Sequence, residues 1–347
     1  MDKIKIGFIG CGYMGQLAHI KNYAALGSCE IAAICDTKVK QAEAVAARYG
    51  IPNLYTDYRE LLANPDITAV VAAQSFTNHV NIVPEILNAK KHLLTEKPLC
   101  MYPENGEKLV QCAADNGVIH MVAYHKRSDP AAEYALDVIK KWKASGEMGN
   151  MKYVRITMPP GDWLFDANKT IMTDEQNGAF NEEAFAPGID ESTHKQLFTF
   201  VNYYIHQLNF MRYLFGEDYK LTFVDKSRVL LAVESDSGVC GIIEMQPYET
   251  SDDWQERAFV SFEKGWIDIE IPPPLITQSA GKVTVFENGT KDGVFITPRL
   301  PNICAMSNQA KNFIEAVKGT RKPPCTSAEA VKDLEVALDY IKYINQV

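Results

Sequence analysis

The chain has no apolar run approaching the roughly 20 residues that a membrane-spanning helix requires. It also has no excess of positive charge: 35 Lys and Arg stand against 44 Asp and Glu, a formal net charge of −9. That balance disfavours nucleic acid and anionic membrane surfaces as general partners. Its 8 cysteines form neither a C-x-x-C pair nor a Cys/His cluster at zinc spacing, so no structural metal is implied. Scattered in this way, they read as small buried hydrophobes in a reducing compartment. There is no internal repeat and no low-complexity tract. The first apolar strand follows shortly after Met1, leaving no room for a signal peptide, and the expectation is a cytoplasmic protein.

What remains is ordinary globular composition, 46% hydrophobic and 23% charged over 347 residues, enough for two domains with separate cores. The first 120 or so residues alternate apolar strand-like runs with helical spacing. Strands are expected at Ile31–Cys35, Asp66–Ala73, Lys91–Thr95 and Val118–Ala123, with helices at Lys38–Tyr49, Val80–Ala89 and Pro103–Asn116. Such alternation implies right-handed crossovers and a parallel sheet, with ligands bound beyond the C-terminal ends of its strands.

From about Asp129 the pattern changes. A helix (Ala131–Lys143) and a strand-like segment (Met151–Met158) precede a long irregular stretch, Pro159–Glu191. A helix at Gln196–Phe215 follows, placing His194 on the loop before it. Five β-type runs come next, at 220–225, 228–234, 239–246, 257–262 and 266–271, and then helices at Ser307–Val317 and Ser327–Ile344. Strands joined by short turns mark an antiparallel sheet and an α+β second domain.

The most specific segment is Ile6-Gly7-Phe8-Ile9-Gly10-Cys11-Gly12-Tyr13-Met14-Gly15, an apolar strand running into G-x-G-x-x-G and a helix. Gly10 allows the tight turn, Gly12 lets a pyrophosphate approach bare backbone, and Gly15 lets helix and strand pack closely. The helix start, at Tyr13 and Met14, offers N–H groups and partial positive charge to phosphate. Asp36 ends the next strand 21 residues after Gly15, near the distance of about 20 expected for the carboxylate that binds the ribose of NAD. A carboxylate there repels the extra phosphate of NADP, so NAD is favoured, although Lys38 and Lys40 nearby soften the repulsion.

Two further places carry chemistry. Lys97, in Glu96-Lys97-Pro98, ends a parallel strand on the ligand edge, where it can donate to a substrate oxygen and stabilise a developing alkoxide. Asn202 and His206 are i and i+4 on one helix face, and histidine, with an ordinary pKa of about 6.5, suits proton transfer in alcohol oxidation. His194 competes for that role.

These features together resemble the Gfo/Idh/MocA oxidoreductases: the glycine fingerprint, Glu96-Lys97-Pro98, His79 standing 17 residues before Glu96, and His125-Lys126-Arg127-Ser128-Asp129-Pro130. The similarity runs through the whole chain. It implies an α/β Rossmann domain over 1–124 and an α+β domain over 125–347 with an open-faced, mostly antiparallel sheet, the C-terminal helices packing back on the Rossmann domain. It implies homodimers or homotetramers formed through that sheet. It also implies NAD(P)-dependent oxidation or reduction of a secondary alcohol carbon of a sugar, cyclitol or related polyol.

By motif, Lys97 is the catalytic lysine, His206 the proton shuttle, and Arg127 lies near nicotinamide and substrate. Gln74, Ser75, His79 and Glu96 join the cofactor residues, and His125, Arg127, Asp162 and Trp163 join Lys97, Asn202 and His206 around the substrate. Two positions depart from the family pattern. Asn202 replaces the usual Asp, and Gln74-Ser75-Phe76 replaces the usual Thr-Pro-Asn. Two alternatives stand beside the dehydrogenase: a glycosidase using bound NAD for transient oxidation, and a regulatory protein that binds dinucleotide without catalysis.

Overall fold

The computed structural model describes residues 3–158, 163, 170–178, 180–245, 254–289 and 292–346. The chain divides into two units, the first comprising Met1–Tyr124, Ala167–Asn202 and Gln309–Leu334, the second His125–Asp166, Tyr203–Asn308 and Glu335–Val347. The first stretch of the first unit ends at Tyr124. Segments 167–202 and 309–334 group with that stretch, the second of them within the C-terminal helices expected to pack back on the Rossmann domain.

In the first unit, strands β1 (Ile4–Ile9), β2 (Cys29–Cys35), β3 (Asn53–Tyr55), β4 (Ala69–Ala72), β5 (His92–Thr95) and β6 (His120–Val122) alternate with five helices. These are α1 (Lys21–Ala24), α2 (Val39–Tyr49), α3 (Tyr58–Ala63), α4 (His79–Asn88) and α5 (Pro103–Asn116). A π-helical stretch, Gly15–Ile20, leads into α1. Every pairing is parallel and the strand order is β3-β2-β1-β4-β5-β6. Pro103 opens α5, and Gly117, in the left-handed conformation, closes it.

The core of this unit joins Ile6 and Phe8 of β1, Ile34 of β2 and Leu94 of β5 to Tyr23, Phe313 and Ile314. Phe313 and Ile314 come from near the far end of the chain. Thr326 bridges Met121, and Val122 N–H donates to Cys325 O at 3.1 Å. Sequence reading missed α3 and β3, both too short for periodicity to register.

In the second unit, α6 (Pro130–Ser145) precedes β7 (Met151–Thr157). Helix α7 spans Glu191–Phe215 and holds residues of both units, changing unit after Asn202. It starts earlier than the apolar pattern, because Asp190 Oδ1 accepts Thr193 N–H at 2.7 Å and caps it. His194 thus lies in the first turn of α7, not on a loop.

Strands β8 (Tyr219–Val224), β9 (Leu230–Ser235), β10 (Cys240–Glu244), β11 (Glu256–Phe262), β12 (Gly265–Ile271), β13 (Lys282–Asn288) and β14 (Gly293–Ile296) complete an eight-stranded sheet. It is antiparallel except where β7 pairs with β10. Sequence reading missed β13 and β14, although Asn288-Gly289 is a hairpin signal.

Alternate residues of β12 (Gly265, Ile267, Ile269, Ile271) are buried, while Trp266, Asp268 and Glu270 on the other face are half-buried. Trp142 of α6 meets Phe262 edge-on at 5.1 Å. Asp129 caps α6 through Ala131 N–H and also accepts Gly281 N–H. The C-terminal helices are α8 (Ala305–Val317) and α9 (Ser327–Gln346).

Among the described residues no helix is long and apolar enough to cross a membrane, and no cluster of His, Cys, Asp or Glu is placed to hold a metal. All 8 cysteines are free thiols, six of them buried. Burial pushes the Cys29 thiol up to about 11 and that of Cys35 to about 12, so both behave as apolar side chains at neutral pH.

Two buried histidines give the first unit a pH dependence. His79 Nδ1–H donates to Leu99 O at 2.9 Å, and His120 Nε2 meets Thr95 Oγ1 at 3.1 Å. Burial lowers His79 to about 4 and His120 to about 3. The unfolded chain binds these protons near pH 6.5, and the folded chain does not, so their contribution to stability is lost as pH falls from there towards 4. We predict that the denaturant midpoint declines between about pH 7 and about pH 4.5, and that His79→Gln flattens this slope. A slope unchanged by the substitution would assign the dependence to other groups.

Candidate functional site

The C-terminal edge of the parallel sheet gathers the sequence-predicted residues of the first unit. After β1 the chain turns at Gly10, whose N–H donates to Cys35 O at 2.8 Å. Gly10 has φ +97, and a Cβ there would lie 2.5 Å from Ala73 O. A Cβ at Gly15 would lie 2.7 Å from Gly10 O. Packing therefore demands both glycines. It does not demand Gly12, whose Cβ position faces nothing within 4 Å. Bare backbone over open space is what close approach of a pyrophosphate needs. Gln16 N–H donates to Gly12 O at 3.0 Å, so the helix begins immediately behind that space, and Met14 at its start makes no side-chain cap.

Asp36 is fixed across this turn. Its Oδ2 accepts Cys11 N–H at 2.8 Å and its Oδ1 accepts Lys38 N–H at 3.0 Å. After β4, the Gln74 side-chain amide lies 2.6 Å from where a Gly10 Cβ would be, and Ser75 Oγ bonds Thr77 Oγ1 at 2.9 Å. The open backbone at Gly12, the helix start and the oriented Asp36 fit a dinucleotide.

At the end of β5, Glu96 is held by a residue that sequence reading missed. His19, buried in the helix behind the glycine turn, donates Nε2–H to Glu96 Oε1 at 2.6 Å. Burial opposes the charge on Glu96, but His19 and Lys97 outweigh it and hold the carboxyl below its ordinary value. Glu96 Oε2 accepts Lys97 N–H at 3.2 Å, and Lys97 Nζ donates to the main-chain carbonyl of Asn202 at 2.7 Å. His79 is fully buried and bonded to Leu99 O, two residues beyond Lys97. This places His79 behind the lysine turn as a support. His194 Nδ1 bonds Tyr102 Oη at 2.6 Å while Phe185 stacks on its ring at 4.1 Å, which occupies this second histidine structurally.

In the second unit, His125 and Arg127 lie on a short 3-10 turn, His125–Ser128. His125 meets the His206 ring edge-on, with centroids 4.8 Å apart. Arg127 is buried, donates from Nε to Asn209 Oδ1 at 2.6 Å and lies over the Tyr213 ring at 5.2 Å. Arg127 therefore braces α7 from inside the unit.

Lys126 forms a buried ion pair with Glu256 at 2.5 Å, their side chains 4% and 1% exposed. Gln207 Nε2 donates to the other carboxylate oxygen at 2.7 Å. Sequence reading missed this group, whose ion-pair partners stand 130 residues apart with no local signal. Trp163 is 37% exposed. Asp162 lies outside the described residues.

Comparison with known proteins agrees with this fold. Residues 4–124 match a family model described as an oxidoreductase family with an NAD-binding Rossmann fold. Levoglucosan dehydrogenase of Pseudarthrobacter phenanthrenivorans is 31% identical over 179 residues, covering 49% of this chain and 44% of that protein. Myo-inositol 2-dehydrogenase of Thermotoga maritima is 26% identical over 214 residues, covering 55% and 61% respectively. The matches thus span about half the length of these relatives. An NAD binding oxidoreductase from Klebsiella pneumoniae has the same fold, with a TM-score of 0.73 at 20% identity over 99% of this chain and 96% of that one. Residues 4–124 thus match the Gfo/Idh/MocA oxidoreductase family, which the glycine turn and Glu96-Lys97-Pro98 motif resemble.

Proposed function

We propose that the protein is a dehydrogenase or reductase that moves hydride between nicotinamide and a secondary alcohol carbon of a sugar, cyclitol or related polyol. The observation that carries this reading is the placement of Lys97. It lies two residues beyond β5 on the same sheet edge as the open Gly12 turn and Asp36, and a carbonyl holds its ammonium in place. Relatives named for levoglucosan and for myo-inositol support the substrate class.

In this reading Gly10, Gly12, Tyr13, Met14, Gly15 and Asp36 hold the dinucleotide, with Gln74 and Ser75 beside it. When bound, the nicotinamide accepts or supplies the hydride. Lys97 donates to the reacting oxygen and stabilises the negative charge that grows on it as the carbon is oxidised. His206 takes the hydroxyl proton, its ring oriented by the edge of His125. Asn202 lies one turn before His206 in α7 and Trp163 offers an apolar face to a sugar ring. Arg127 and Glu96 act by positioning. NAD is the preferred cofactor, through Asp36, and the free thiols support a reducing, cytoplasmic setting.

We also propose a homodimer or homotetramer built through the eight-stranded sheet. Phe259, Trp266, Phe286 and Phe295 form a continuous aromatic ladder, with neighbouring centroids 5.0 to 5.9 Å apart. Phe295 is 67% exposed at its end. An aromatic strip of this kind on an uncovered sheet face is typical of an interface.

Screening sugars and cyclitols with NAD and NADP identifies the substrate. On it, Lys97→Ala should lower kcat by about 10²- to 10³-fold while NADH binding, read by fluorescence, stays within about threefold. Unchanged turnover would remove Lys97 from the chemistry. His206→Ala should cost about 10²-fold or more, and equal rates for wild type and variant would pass the proton role to another group. Light scattering should give wild type a mass above one chain, and Trp266→Arg should reduce it. A monomeric wild type would discard the sheet interface.

A further inference from the structure

The segment 170–178 belongs to the first unit, where it is tied to the ribose end of the proposed dinucleotide site. Gln16 and Ile171 exchange two bonds, Nε2–H to the carbonyl and N–H to Oε1, each 2.8 Å. Gly178 N–H donates to Thr37 Oγ1 at 3.0 Å, and a Cβ on Gly178 would lie 2.7 Å from Thr37 Cγ2. Between these anchors, Glu175 reaches the start of α2. Its Oε1 accepts Lys40 N–H and its Oε2 accepts Gln41 N–H, both at 3.1 Å. Thr173 Oγ1 donates to Oε2 at 2.8 Å. Lys38, the N-cap residue of α2, makes no side-chain cap of its own. The cap comes instead from a residue more than 130 positions away.

This cap lies where a second phosphate would go. The 2′-hydroxyl of a bound ribose faces Asp36, and a phosphate on that oxygen must find donors in the residues just beyond. Lys38 N–H is already given to Asp36, and the Lys40 and Gln41 amides at the start of α2 are given to Glu175. Burial opposes the charge of Glu175, but the Lys40 and Gln41 amides, the Thr173 hydroxyl and the positive Lys40 keep its carboxyl below its ordinary value. It is therefore an anion at neutral pH, and Lys40, which sequence reading gave a phosphate-softening role, already interacts with it.

Resting on the dinucleotide reading above, we propose that Glu175 is a cofactor-specificity residue, filling the α2 N-terminus and so barring the 2′-phosphate of NADP. Two carboxylates, Asp36 and Glu175, then face that position. One selects the free ribose hydroxyl, and the other withholds the amides and adds like charge.

The test is binding of NADH and NADPH to the full chain, wild type against Glu175→Gln and Glu175→Ala, with melting temperatures as a check on folding. The glutamine keeps the shape and removes the charge. Wild type should favour NADH by about tenfold or more, and both variants should bind NADPH about fivefold more tightly with NADH affinity within about twofold. If wild type binds neither dinucleotide, the reading of the glycine turn fails and this proposal with it. If wild type binds both equally, the dinucleotide reading stands and the proposal is overturned. It is also overturned if wild type prefers NADH and folded variants keep the same NADPH to NADH ratio, which leaves discrimination to Asp36 alone. A parallel change for both cofactors would likewise overturn it, making Glu175 a tether for the segment.

Discussion

Between β1 and β4 the strand order reverses, and connections leave the sheet edge in opposite directions. The crevice this opens is a property of topology, and everything chemical in the first unit is arranged around it. The glycine turn follows β1, Asp36 ends the strand on one side, and Gln74 follows the strand on the other. Lys97 stands one strand further along the same edge. Each group follows a short strand that is hydrogen-bonded on both sides. The segments at 170–178 and 180–190 and the first turns of α7 are anchored onto that edge by individual side chains.

What was legible in the sequence was local. Gly10, Gly15 and Asp36 lie within one strand–helix–strand unit, so spacing alone exposed them. Helix α5 matches its expected span because Pro103 and Asn116-Gly117 mark its ends. Lys97 was legible because a proline stops the strand one residue later. The eight-stranded sheet was partly visible, and its last hairpin was lost although Asn288-Gly289 announced it. Groups that depend on distant pairing were not legible. Lys126 meets Glu256, His19 meets Glu96, and Glu175 caps α2, and in each pair neither partner carries a local mark of the other. A buried charge becomes tolerable only through its partner, and the partner is chosen by the fold.

Asn202 shows how a departure in sequence need not be one in structure. Where the family pattern has a carboxylate, this chain has an amide, yet the bond to Lys97 uses the main-chain carbonyl of that position. Any residue supplies that oxygen. What the bond does require is that α7 keep its register there, since a carbonyl on a helix is placed by the turns around it. Asp190, capping the start of α7, helps to set the position of the carbonyl that Lys97 bonds.

Phe313 and Ile314 complete the core built by β1 and β2, and Cys325 and Thr326 bond the outermost strand, β6. The parallel sheet is thus written in the first third of the chain and closed by its last tenth. During synthesis, the strands emerge long before the apolar side chains that cover them and before the carboxylate that caps α2. The nascent first unit must wait, with part of its core uncovered, until residues 313–326 have been made.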